Sequence, residues 1–196
     1  TLSLHDALPI SPSINITSAG GMNILAISGS LRTESINAAF LRAVAQVVPR
    51  GFRVVMYESL GSLPIFNPDL ESAPPEQVVQ WRSLVAQADA LLIASPEYAH
   101  GVTGAIKNAL DWLVSHEPFV NKPIAVINTS PRAHHADAAL RETLITMNAK
   151  LVESASITVP LLGANLNLQE LAQTKLLIDA TQQILEGLHA AMANRT

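Results

Sequence analysis

From position 22 onward, short apolar runs alternate with longer stretches whose apolar residues return at helical spacing. The short runs predict strands at Asn23–Ser28, Phe52–Tyr57, Ala90–Ser95, Pro123–Asn128 and Leu151–Thr158. The longer stretches predict helices at about Ser35–Val48, Pro75–Ala88, Gly104–His116, Asp137–Asn148 and Leu168–Ala193. The first, third and fourth strands are nearly all apolar, as strands covered on both faces are. In the first helix the apolar stripe reads Ile36, Ala39, Phe40, Ala43, Val44 and Val47. Strand and helix alternate five times, which implies a parallel sheet with right-handed crossovers and helices on both faces. Of the common orders for such sheets we adopt 2-1-3-4-5, which opens a ligand crevice beyond the ends of strands 1 and 3.

Residues 1–21 carry neither strand nor helix periodicity and end in Gly20-Gly21 just before Met22. The opening TLSLHDALPIS resembles translated sequencing-adapter read-through, so the expected division is a non-native N-terminal extension over 1–21, or a disordered native one, followed by one domain over 22–196. About 175 residues suit a single domain with a full core. An apolar content of 48% with 14% charged residues favours a compact α/β protein over disorder.

A net charge of −4, with no Lys/Arg cluster, argues against nucleic-acid binding. No apolar run reaches the roughly 18 residues of a membrane span, and cytoplasmic is the default expectation. Cysteine is absent from the sequence, so disulfides, thiol catalysis and Cys-ligated metals are excluded, and redox chemistry would need a bound cofactor.

Two loops stand out. The first, SGSLRTESIN over 28–37, joins strand 1 to helix 1. Gly29 permits a tight turn, hydroxyls crowd the helix start where free N–H groups gather, and Arg32 adds a planar cation matched to phosphate. A phosphate cradle and an ordinary helix cap are about equally good readings of it. Neither the Gly-x-Gly-x-x-Gly fingerprint, nor a P-loop, nor a Gly-x-Ser-x-Gly elbow is present. The second loop, SPEYAHGVTGAIKNALDW over 95–112, leaves strand 3. Pro96 stops the strand, Gly101 and Gly104 allow close approach, and Tyr98 offers an aromatic face; Trp112 reads as core. His134 and His135 read as a solvated loop, and no metal-ligand spacing occurs, so no metal is expected.

Together, GSLRxxSxN after strand 1 and SPEYxxGxxGxxKNAxDW after strand 3 resemble the NADPH-dependent FMN reductase family, from Met22 to the C-terminus. The resemblance implies a flavodoxin-like three-layer sandwich that binds FMN and uses NADPH or NADH as co-substrate. By position, Ser30, Arg32, Ser35 and Asn37 would hold the FMN phosphate, with Ile36 beside them. Pro96, Glu97, Tyr98 and Gly101 would line the isoalloxazine ring, with Lys107 and Asn108 behind. Asn128, Thr129, Ser130 and Arg132 would neighbour the ring, although His134 and His135 stand where many relatives carry glycines. LPIFNPD, with Phe66 and Asn67, would lie near the flavin and a subunit boundary.

The resemblance further implies hydride transfer from nicotinamide to flavin and on to a quinone, free flavin, chromate or azo acceptor, in a homodimer or homotetramer. No side chain is expected to serve as catalytic acid, base or nucleophile. The rival readings are an electron carrier of the flavodoxin type, for which the loops hold too few acids and aromatics, and a flavin-free binding module. A signalling receiver domain would need acids where Ser28 and Ser95 stand.

Overall fold

A computed structural model describes residues 21–161 and 167–193. The expected N-terminal extension therefore lies outside the described residues except for Gly21. The strands are β1 (Met22–Ser28), β2 (Phe52–Met56), β3 (Ala90–Ala94), β4 (Pro123–Ile127) and β5 (Lys150–Leu151). The helices are α1 (Ile36–Val47), α2 (Glu76–Gln87), α3 (Gly104–Asp111), α4 (His134–Thr146), α5 (Leu168–Ala172) and α6 (Lys175–Ala193). All strand pairs are parallel and the sheet order is β2-β1-β3-β4-β5, as expected.

Alternation along the buried strands builds two cores. Leu25 and Ile27 of β1, Leu91 and Ile93 of β3, and Ile124 and Val126 of β4 face α2, α3 and α4, where Trp81 and Leu144 are buried. Ile24, Ala26, Leu92, Ala94, Ala125 and Ile127 point the other way, onto Phe40 and Val44 of α1 and Ile184 and Leu188 of α6. The result is a helix–sheet–helix sandwich whose strand ends β1, β3 and β4 share one rim. Trp112 is fully buried, and its indole N–H donates to Pro64 O at 2.8 Å.

Four expectations about elements are corrected. The fifth strand, expected over Leu151–Thr158, is only Lys150–Leu151, because a single 3-10 turn at Glu153–Ala155 lifts the chain off the ladder. Ser156 fills the gap, its Oγ accepting from Val126 N–H at 3.0 Å, and pairing resumes only as the bridge Asn128–Thr158. The last helix is split at Gln173-Thr174, where the Thr174 hydroxyl donates to Leu171 O and accepts from Leu177 N–H. Helix α4 starts at His134 rather than Asp137, so the two histidines sit in its first turn, both exposed. In α1 the buried face is Asn37, Ala38, Phe40, Leu41, Ala43 and Val44, one position round from the expected stripe, and Ile36 is 39% exposed.

Candidate functional site

The rim formed by the β1, β3 and β4 ends carries an open cavity of about 400 Å³, within the range of small-molecule sites. Ser30, Arg32, Ser35, Ile36, Asn37, Pro96, Glu97, Tyr98, Asn128, Thr129, Ser130 and Arg132 all line it. Gly101, expected against the ring, is outside the lining, as are Lys107 and Asn108, expected behind it, and Phe66 and Asn67, expected near it. Glu34, Ser95 and Ala133 line it without having been expected.

The loop after β1 is set by close approach. Gly29 N–H donates to Ala94 O at 2.9 Å, and a Cβ on Gly29 would fall 2.2 Å from Ser95 Oγ. Only a residue without Cβ lets the two strand ends meet there. Thr103 locks the arrangement: its hydroxyl donates to Gly29 O at 2.7 Å and accepts from Ile106 N–H, capping α3. Thr103 is a positioning residue that sequence reasoning missed; its place just before an expected helix start was the available signal.

Further along this loop, Ser35 does cap α1, its Oγ accepting from Ala38 N–H at 3.3 Å, while Ala39 N–H donates to Ser35 O. That leaves the first-turn amides of the pocket-lining Ile36 and Asn37 for a ligand or water. Arg32 is exposed and forms no ion pair among the described residues. An unpaired guanidinium beside free helix-start amides is a donor set for an anion. Asn37 is buried, and its Oδ1 accepts from the Thr129 hydroxyl at 2.9 Å, joining α1 to the loop after β4.

The loop after β3 carries a tight turn. Tyr98 and Gly101 exchange both backbone hydrogen bonds, at 3.1 and 3.0 Å, and the two residues between them, Ala99 and His100, have φ of 50° and 60°. Positive φ at both central positions is the type I′ pattern, adopted here without glycine. Gly101 therefore closes the turn that presents Tyr98, which is 51% exposed and lines the pocket. Glu97 is tied on both oxygens: Oε1 to His100 Nδ1 at 3.1 Å and Oε2 to Ala136 N–H at 2.9 Å. The Ala136 N–H, above all, holds this carboxyl below its ordinary range; desolvation opposes it, and the His100 hydrogen bond and the backbone and charge of His135 add to the lowering.

Phe66 and Asn67 do not reach the cavity of their own chain. Phe66 packs edge-on to Trp112 at 5.0 Å and Asn67 caps a 3-10 turn. Asn108 holds that segment, accepting from Phe66 N–H and donating to Pro64 O, and Lys107 pairs with Asp111. Among the described residues no group of three or more His, Asp or Glu could hold a metal ion.

Residues 22–161 match the family described as NADPH-dependent FMN reductase. The chain is 33% identical over 144 residues to an NAD(P)H-dependent FMN reductase of Pseudomonas aeruginosa, covering 70% of this chain and 77% of that one. It is 35% identical over 135 residues to a quinone reductase of Pseudomonas putida, covering 64% and 71%. Among solved structures, a flavoenzyme NAD(P)H:(acceptor) oxidoreductase of Paracoccus denitrificans superposes with a TM-score of 0.74 at 25% identity, over 86% of this chain and 96% of the other.

Proposed function

The chain belongs to the NADPH-dependent FMN reductase family, and we propose that it is an NAD(P)H-dependent, FMN-containing reductase that delivers electrons to a small acceptor such as a quinone. The observation that carries this reading is the convergence, on one cavity, of an Arg32 without a carboxylate partner among the described residues with the free Ile36 and Asn37 amides, and of an exposed Tyr98 beside Pro96 and Glu97. The first set suits a phosphate ester; the second suits the edge and face of a flat ring.

Bound FMN would supply the redox chemistry, taking hydride from the nicotinamide and passing it to the acceptor. The protein's part is binding and orientation. Arg32 and the α1 amides anchor the phosphate end. The Pro96–Tyr98 segment flanks the ring, and Glu97, fixed at both oxygens, keeps that segment in register with α4. The open mouth of the cavity would admit nicotinamide and acceptor in turn beside a bound flavin. Quinone as acceptor rests on the curated relatives. Ile65, 81% exposed and next to Phe66, supports a dimer contact there.

An electron carrier is disfavoured because Tyr98 is the one aromatic among the lining residues and Arg32 and Arg132 balance Glu34 and Glu97. Anaerobic mixing of FMN-loaded protein with NADPH and, separately, NADH tests the proposal: rapid bleaching of the flavin absorbance is expected. No bleaching by either nucleotide, or a persistent neutral semiquinone, would assign the chain to the carriers instead.

A further inference from the structure

The loops after β1 and β4 are built on one plan. In the first, Ser28 Oγ accepts from Ser30 N–H at 3.3 Å and Ser30 Oγ accepts from Arg32 N–H at 3.3 Å. In the second, Asn128 Oδ1 accepts from Ser130 N–H at 2.9 Å and Ser130 Oγ accepts from Arg132 N–H at 3.4 Å. The sequences SGSLR and NTSPR thus share a polar–x–Ser–x–Arg pattern in which each side chain holds the next amide and the arginine is delivered at the end. Each relay starts at the end of its strand, and both arginines line the same cavity without a carboxylate partner among the described residues. Two further bonds stiffen the second loop: Ala133 N–H to Ser130 O at 2.9 Å and Asn128 Nδ2 to Ala133 O at 3.2 Å.

We propose that the NTSPR loop is a second phosphate cradle, in which Arg132 binds a phosphate of the nicotinamide dinucleotide while the SGSLR loop holds that of FMN. The inference rests on the function proposed above. FMN carries a single phosphate ester, so a cavity with two arginine-bearing loops has one to spare. The ligand expected to share the cavity with FMN and to carry phosphates is the dinucleotide. Exposed imidazoles extend the cradle. His134 Nδ1 lies 3.2 Å from Arg132 O, the His134 and His135 rings are 4.1 Å apart, and His135 meets His100 at 4.5 Å. Together they form a polar shelf beside the arginine, where further N–H donors can meet phosphate oxygens.

The test is calorimetric titration of FMN-loaded protein with NADP⁺ and with NAD⁺, which bind without turnover, alongside FMN titration of each apoprotein. Arg132→Ala should weaken NADP⁺ binding about tenfold or more, the scale of a lost charge-assisted hydrogen bond, with FMN affinity changed less than about twofold. Arg132→Lys should recover part of the loss. Arg32→Ala should show the opposite preference. Weakening confined to NADP⁺ would place the 2′-phosphate on Arg132, and equal weakening of both nucleotides the pyrophosphate; either supports the cradle. Unchanged nucleotide affinity in Arg132→Ala, or an FMN loss matching that of Arg32→Ala, would overturn it while leaving the flavin reading intact. A wild-type chain that takes up no FMN would overturn both.

Discussion

The Glu97 carboxylate, on the loop after β3, accepts at 2.9 Å from the N–H of Ala136 in the first turn of α4. A side chain from one pocket loop thus caps the helix that follows another, so the two loops cannot move independently without exposing an orphan amide.

This cap gives the fold a pH dependence. The Ala136 N–H, with His100 and His135, lowers the Glu97 pKa in the folded state, so its stabilisation is complete above the pKa of an unfolded glutamate, roughly 4.3. It is lost as pH falls through the lower folded value. Glu97→Gln, which removes the charge and keeps the shape, should lower Tm at neutral pH and narrow its gap to wild type as pH drops below that of an unfolded glutamate. Parallel Tm–pH curves would show that the cap carries no charge-dependent stability.

Gly29→Ala should destabilise the protein by about 1–3 kcal/mol, the usual cost of overpacking, because the new Cβ would meet Ser95 Oγ at 2.2 Å and Ser95 Cβ at 2.7 Å. Both offending atoms belong to the Ser95 side chain, so Ser95→Gly in the same chain should restore much of the loss. Urea denaturation of the single and double variants decides the point. Additive losses would mean that the clash is relieved by another route.

The turn at Ala99-His100 holds two non-glycine residues at φ of 50° and 60°, where an alanine costs roughly 1–2 kcal/mol and asparagine less. Ala99→Asn should therefore raise stability by about 0.5–1 kcal/mol, measured by the urea midpoint, and leave the Tyr98–Gly101 pairing in place. A fall in stability would show that Ala99 makes contacts worth more than its strain.

The five parallel strands and the loops that line the pocket were legible because buried parallel strands read as apolar runs and strand-to-helix loops at a switch point gather the polar chemistry, whereas the sheet order was adopted from those common to such folds. What escaped was set by tertiary contact. Ser156, which replaces a missing ladder bond to Val126, turns a continuous β-like stretch into a two-residue strand. The start of α4 at His134 depends on Glu97 reaching from 39 positions away to Ala136, and no local propensity encodes that. Asn37 was visible as a candidate ligand residue, yet its place on the buried face of α1, where the apolar stripe put Ile36, follows from its partner on the β4 loop.

That partnership supplies the most discriminating variant pair. Asn37 Oδ1 accepts from the Thr129 hydroxyl at 2.9 Å between two buried residues that both line the pocket. Removing one partner strands the other. Thr129→Val leaves the Asn37 amide oxygen without its donor, and Asn37→Ala leaves the hydroxyl without its acceptor, each at a cost of about 1–3 kcal/mol. The double variant strands neither group, so its loss should fall short of the sum by roughly 1 kcal/mol, as contacting pairs do. Urea denaturation of the four apoproteins measures that coupling. FMN titration of the same four asks whether the bond also fixes the first turn of α1 against its ligand. If it does, Thr129→Val should weaken FMN binding even though the α1 amides and Arg32 are untouched. Strict additivity in stability would reduce the contact to a neutral neighbour.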